Sequence, residues 1–215
     1  MDNEGYHKYV FDEQNKRFKG EFEQMYIAEQ TEDFDSWHQD DVSFLDKQLC
    51  LQLVKQSNFN TIVDIGCGKG AFTHLMKTED NSVVGLDISH EAVSIAGKRY
   101  KDIEFLTADI NLSDWVNILN QKLATGTNNV CVDCIVCLET LSYVKTWKEN
   151  IQDFSGLGKF ALIKLFIPDD PIGYIKSRDK LIREFNKHFD VIEHIDFINR
   201  QIIIMFGKSK LIGEL

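Results

Sequence analysis

The chain has 215 residues, 43% of them hydrophobic, which suits one globular domain with a full core. Its formal net charge of −10 argues against broad binding to nucleic acid or anionic membrane, both of which need basic surface; "KSRDKLIR" (176–183) is a mildly basic patch at most. No apolar run approaches the roughly 20 residues that cross a bilayer, and the opening "MDNEGYHKYV" lacks a basic end followed by an apolar stretch, so no secretion signal is expected.

The first 40 residues are polar and aromatic without a clean period, which predicts one or two loose helices and a connecting loop. After Asp41, the spacing of Val42, Leu45, Leu49, Leu53 and Val54 predicts a helix with Asp40 or Asp41 as its cap. The pattern then changes. "TIVDI" (61–65) reads as a buried strand, "GAFTHLMK" (70–77) as a helix and "SVVGLD" (82–87) as a second strand. "SHEAVSIAGKRY" (89–100) is a helix capped by Ser89, followed by strand "IEFLTAD" (103–109) and helix "DWVNILNQKLA" (114–124). Two further strands are read at "VCVDCIVCL" (130–138) and "GKFALIKLFI" (158–167). Strands alternating with helices imply right-handed crossovers and a parallel sheet covered on both faces. "FDVIEHIDFI" (189–198) and "RQIIIMFG" (200–207) are nearly contiguous, and so short a gap permits only an antiparallel hairpin. The sheet is therefore expected to be mixed at one edge.

"TIVDIGCGKGAF" (61–72) ends its strand in a glycine-rich turn. In an open parallel sheet ligands collect at the carboxyl ends of strands, and Gly66 and Gly68 would let the backbone take positive φ and approach a ligand closely. "GCGKGA" also satisfies the dinucleotide fingerprint, so a nicotinamide dehydrogenase is one reading. The acidic spacing favours another. Asp87 ends the second strand, placed to accept both hydroxyls of a ribose, and Asp109 ends the third, within reach of an adenine amine. Asp64, two residues before Gly66, suits a positively charged ligand better than a phosphate. An α-ammonium beside a sulfonium is such a ligand.

"VDIGCGKGAF", "VVGLDIS", "FLTADI" and "VDCIVCLETLSYV" resemble, in order and spacing, the four motifs of class I S-adenosylmethionine-dependent methyltransferases. The resemblance covers about residues 60–145, and the terminal hairpin resembles that family's antiparallel seventh strand. It implies an α/β, Rossmann-like, seven-stranded and mostly parallel sheet with an antiparallel last strand, helices on both faces and an N-terminal helical lid. The whole chain would be one methyltransferase domain, with residues 1–58 a helical cap and 59–215 the core. S-adenosyl-L-methionine would be the cofactor. Gly66, Cys67 and Gly68 would line its amino-acid part, Asp87 would hold the ribose, Ile88 would pack on the adenine, Asp109 and Ile110 would frame its edge, and Leu138 would lie near the methionine moiety. Lys69 stands where the family carries an acidic, hydroxyl or small residue, which leaves its role open.

"CVDCIVC" gives Cys131, Cys134 and Cys137. In a strand Cys134 points away from the other two, so three thiols cannot converge on one metal, and the better reading is packing, with no metal expected. Five cysteines, an odd number, fit a reducing cytoplasm better than a disulfide framework.

An activated methyl mainly needs an aligned acceptor, with a base only where the acceptor arrives protonated. Glu139 and Tyr143 of "LETLSY" are the candidates for taking a proton or orienting the acceptor, with His38 a further candidate base. "FEQMY" and "DFDSWHQDD" resemble the entry region of bacterial carbohydrate and secondary-metabolite methyltransferases, including the nodulation-type N-methyltransferases; Tyr26 and Trp37 would then cover the cofactor. The expected acceptor is a small molecule, a sugar or related metabolite, methylated on N or O. "FIPDDPIGY" (166–174) reads either as a loop over the acceptor site or as a plain exposed turn. A non-catalytic scaffolding subunit of the same fold is the alternative, and a homodimer is compatible with the sequence.

Overall fold

The computed structural model describes residues 5–123 and 131–212, so Ala124 and Val130, the predicted end of one helix and start of one strand, lie outside the described residues. The N-terminal stretch forms α1 (His7–Val10), two short strands β1 (Phe11–Asp12) and β2 (Arg17–Phe18), α2 (Phe22–Glu29), a 3-10 turn at Ser36–His38 and α3 (Leu45–Gln56). The β1–β2 hairpin is not legible beforehand, because strands two residues long show no alternation. Neither Asp40 nor Asp41 caps α3. Its N-cap is Phe44, with no side-chain cap, while Asp41 takes the N–H and hydroxyl of Ser43 at 2.9 and 2.6 Å, and Asp40 is drawn to Lys69 and Arg99.

The alternating region follows the periodicity closely: β3 (Thr61–Ile65), α4 (Ala71–Met76), β4 (Ser82–Asp87), α5 (His90–Arg99), β5 (Glu104–Thr107), α6 (Trp115–Leu123), β6 (Val132–Leu138) and β7 (Gly158–Phe166). Ser89 caps α5, its hydroxyl accepting the Ala92 N–H at 3.1 Å. Two helices go unannounced, α7 (Trp147–Leu157) and α8 (Arg178–His188). Polar residues interrupt their apolar stripes: Asn150 and Ser155 are buried in the first, Glu184 in the second. The chain ends with β8 (Phe189–Phe197) and β9 (Ile202–Ser209).

The sheet runs β5-β4-β3-β6-β7-β9-β8, parallel from β5 to β7, with β9 antiparallel to both β7 and β8. The hairpin is thus at the edge, and β9 lies inside β8. Strand order reverses between β3 and β6, where crossovers leave a crevice beyond the strands' carboxyl ends. Val63, Ile65, Ile135 and Cys137 pack under α6, α7 and α8 on one face, while Ile62, Cys134 and Val136 meet Cys50, Leu51 and Val54 of α3 on the other. Cys134 and Cys137 therefore face opposite ways, as the strand period requires, whereas Cys131 precedes β6 and is exposed, so the packing role expected of it does not hold. A third cluster, Tyr6, Val10, Met25, Tyr26 and Ala92, joins the N-terminal stretch to α5.

Candidate active site

The crevice at the β3–β6 reversal is a cavity of about 1100 Å3, counted out to its opening. Its floor is the turn after β3. Gly66, Gly68 and Gly70 all have positive φ, at 75°, 53° and 80°, conformations that L side chains avoid. Every amide from 66 to 70 already has an acceptor: Gly66 and Cys67 donate to the Leu86 carbonyl at 2.7 and 2.9 Å, Gly68 to Asp87 Oδ2 at 2.9 Å, Lys69 to Gln39 Oε1 at 2.8 Å and Gly70 to the Cys67 carbonyl at 3.0 Å. A phosphate cradle needs free N–H groups, and this turn keeps none in reserve. The glycines do admit a close approach, but by the protein itself. A Cβ at Gly66 would lie 1.9 Å from Thr140 Oγ1, and one at Gly68 2.0 Å from Gln39 Oε1.

The carboxylates give the cavity its charge. Asp64 is buried and, among the described residues, bonded only to the Thr73 hydroxyl at 2.6 Å; burial pushes its carboxyl up to about 7, Thr73 holds it down, and nearby Asp87 raises it. Asp87 accepts the Gly68 and Ser89 amides at 2.9 Å each, which leaves lone pairs on both oxygens, and burial pushes it up to about 6. Neither forms an ion pair among the described residues. Asp109 accepts the Asn111 amide and side chain at 2.8 and 2.9 Å. Ile88 is 44% exposed at the cavity wall, with Ala108 and Ile110 nearby in the lining: a flat apolar ligand has somewhere to lie. Buried carboxylates without a cation, beside an uncovered apolar wall, fit an adenosyl sulfonium.

Across the cavity the wall comes from β6, β7, α3 and the N-terminal stretch. Leu138 lines it, followed by Glu139, whose φ of 59° is unusual outside glycine. Glu139 pairs with Lys164 of β7 at 2.8 Å and accepts the Phe166 N–H at 2.7 Å; Lys164 is itself buried and also bonds Asp46 of α3 at 2.5 Å. These two carboxylates hold the Lys164 ammonium well above its ordinary range despite its burial. Tyr143 accepts the Trp37 indole N–H at 3.0 Å and stacks on Phe18 at 5.6 Å, and burial pushes its phenol up. Tyr26 accepts the Gln39 amide at 2.9 Å.

Of the residues singled out from sequence, Tyr26, Trp37, Asp64, Gly66, Cys67, Asp87, Ile88, Asp109, Ile110, Leu138, Glu139 and Tyr143 meet around this one cavity. Gly68 lies behind the wall, covered by Gln39. His38 is a correction: it is exposed and absent from the lining, because its ring packs outward against Phe44 at 5.8 Å while the neighbouring Trp37 indole takes the place at the cavity. Pro168 and Pro171 do not line the cavity either, and neighbouring Asp170 pairs with Lys16 in solvent. Sequence reasoning missed Phe22, Gln39, Lys47, Thr140 and Lys164. Lys164, a cation inside the apolar run "FALIKLFI", was the one with a visible signal. The open role of Lys69 is settled structurally: its buried ammonium binds Glu29, Asp35 and Asp40 at 2.6, 2.8 and 3.0 Å and ties residues 29–40 to the glycine turn.

A family model described as a methyltransferase domain matches residues 56–187. The ubiquinone biosynthesis O-methyltransferase of Nitrosomonas europaea is 30% identical over 99 residues, 46% of this chain and 39% of that protein. A putative methyltransferase of Invertebrate iridescent virus 6 is 29% identical over 72 residues, 33% of this chain and 27% of the other. The aligned part thus spans well under half the length of these curated relatives. Among solved structures, the N-methyltransferase NodS of Bradyrhizobium japonicum with S-adenosyl-L-homocysteine superposes with a TM-score of 0.67 at 18% identity, over 87% of this chain and 98% of that one. The magnesium protoporphyrin IX methyltransferase of Synechocystis PCC 6803 with bound S-adenosylmethionine gives 0.59 at 18% identity, over 80% and 79%. The match to the family model takes in more than half of the chain, and with the ordered motifs around one crevice this protein belongs to the class I S-adenosylmethionine-dependent methyltransferases.

Proposed function

We propose that this protein transfers a methyl group from S-adenosylmethionine to an N or O atom of a small molecule. The observation that carries the reading is the pair of buried, cation-free carboxylates Asp64 and Asp87 facing a cavity whose floor has no amide to spare for a phosphate. A nicotinamide dinucleotide brings two phosphates to such a floor, and a sulfonium donor brings positive charge.

When bound, the donor supplies a methyl carbon already activated by its sulfonium. The chain's own residues bind and orient. Asp87 would take the ribose hydroxyls on its remaining lone pairs, Ile88 and Ile110 would hold the adenine, Asp109 would meet its edge, and Gly66, Cys67 and Leu138 would border the methionine part. Residues 1–58 would form a cap, with Tyr26 and Trp37 covering the cofactor and Lys69 fastening that cap to the turn. Tyr143 would position the acceptor. Glu139 already holds an ammonium, that of Lys164, so its proposed part is to fix the β6 turn rather than to remove a proton. All five cysteines are free, which supports a reducing cytoplasmic setting.

Calorimetry with S-adenosylhomocysteine tests the reading. Saturable one-to-one binding is expected; no binding would leave a scaffolding subunit with a methyltransferase fold.

A further inference from the structure

The cavity has lysines only on its β6–β7 side, Lys47 and Lys164, and they are treated differently. Lys164 is neutralised by Asp46 and Glu139. Lys47, the next residue after Asp46 in α3, donates to two carbonyls, those of His38 and Asp41, and pairs with no carboxylate among the described residues. An ammonium has three N–H donors, so one remains for a ligand. Burial and the neighbouring Lys164 charge push Lys47 down from its ordinary value against the pull of Asp35, Asp46 and Asp41, and an incoming anion would add to that pull.

On the same side Glu139 carries no spare charge: one oxygen pairs with Lys164 and the other accepts the Phe166 N–H. The Tyr143 hydroxyl accepts from Trp37, and His38 is outside the cavity. An acceptor that arrives already deprotonated suits this side best when it is anionic, because its charge then meets Lys47. Phe22, Trp37, Leu138 and Tyr143 offer its remainder an apolar wall.

We propose that the acceptor is a small carboxylic acid with an apolar body, its carboxylate seated on Lys47 and methylated there to the ester. This rests on the donor reading above. One carboxylate oxygen bonds Lys47 while the other forms the new bond to the methyl carbon. The carbon–sulfur bond of the sulfonium donor breaks with its electron pair left on sulfur, and no proton moves. Lys47 acts as a specificity-determining anchor.

The test is incubation with S-adenosylmethionine and a panel of aliphatic and aromatic monocarboxylic acids, their matched alcohols and amines, and phosphate monoesters. Product is read as methanol released by alkali, which methyl esters give and ethers or N-methyl groups do not. Expected is alkali-labile product from at least one acid. Lys47→Gln should raise the KM for that acid at least tenfold, with kcat within a few-fold and calorimetric affinity for S-adenosylhomocysteine unchanged. Lys47→Arg should restore KM to within about threefold. Alkali-stable product only, transfer to a phosphate monoester in place of an acid, no product from any acid, or an unchanged KM in Lys47→Gln overturns the proposal. Intact S-adenosylhomocysteine binding in those cases leaves the donor reading standing, whereas its absence in the wild type removes both.

Discussion

On the β3–β4 side of the cavity the carboxylates stand alone; on the β6–β7 side each is matched by a lysine. Asp64 and Asp87 are buried beside apolar residues with one and two hydrogen bonds, and no cation pairs with either among the described residues. Asp46 and Glu139 share Lys164, and Lys47, which brings that side to neutrality, contacts no carboxylate among the described residues. Burying an unpaired charge is costly, so a fold that keeps two of them has a partner that comes from outside. The paired side is balanced in charge, and Lys47 is its one ammonium held by carbonyls alone. One side thus offers uncompensated carboxylates and the other an ammonium with a donor to spare.

The largest effect is expected where that balance is structural. Lys164→Met leaves buried Asp46 and half-buried Glu139 without their cation and should cost about 3–5 kcal/mol of stability, measured by urea unfolding. In the fraction that stays folded, affinity for S-adenosylhomocysteine should stay within a few-fold, since the β3–β4 wall is untouched. A loss below about 1 kcal/mol would mean that water reaches the triad and that the two sides differ less than their geometry says. Asp87→Ala is the counterpart. It should weaken S-adenosylhomocysteine by about 2–4 kcal/mol through the lost ribose contacts, with Asp87 carrying no ion pair to lose. Unchanged affinity would remove Asp87 from the donor site.

The two sides also differed in how far they could be read from sequence. Asp64, Gly66, Asp87, Ile88, Asp109 and Ile110 each sit at or just past the end of a parallel strand, so strand periodicity and a glycine turn were enough to align them. Strand ends in a parallel sheet are neighbours by construction. The other wall is assembled by tertiary packing. Asp46 and Lys47 come from a helix, Lys164 from a strand beyond α7, and Trp37 and Glu139 take φ angles of 51° and 59°, which no local pattern announces. The same holds for the glycines: positive φ followed from the residue type, but the covering of Gly68 by Gln39 depends on how the N-terminal stretch docks. The misassigned His38 had the same origin, since its neighbour's indole faces the cavity while its own ring does not.

Lys69 belongs to neither side, and its removal tests whether the two are coupled. It leaves the glycine turn of one wall and binds the stretch that carries Trp37 and Gln39 into the other. Lys69→Met removes the cation shared by Glu29 and Asp35 and leaves Asp40 with Arg99. Asp35 and Asp40 can turn to solvent, so the cost should be about 2 kcal/mol, below that of a fully buried pair. The expected readouts are faster proteolysis within residues 29–40 and weaker S-adenosylhomocysteine binding. Faster cleavage with full affinity would show that the N-terminal stretch does not serve the donor site.

The smallest effect bears most directly on the unpaired carboxylates. Burial raises Asp64 to about 7 and Asp87 to about 6, from an ordinary 3.8. The folded protein without ligand therefore keeps protons that the unfolded chain releases near pH 4. Their contribution to stability is full below that value and is lost as pH rises through 6 and 7, so the melting temperature should fall over that window. A cationic ligand reverses the preference by favouring the ionised forms. Its binding should release protons, and affinity for S-adenosylmethionine should rise about tenfold from pH 5.5 to 8, or about 1.4 kcal/mol. S-adenosylhomocysteine, which lacks the sulfonium charge, should show a shallower slope. Calorimetry in two buffers of different ionisation enthalpy measures the proton count directly. Equal slopes for the two ligands would mean that the carboxylates read the ammonium and hydroxyls alone, and the sulfonium would then owe its place to the apolar wall.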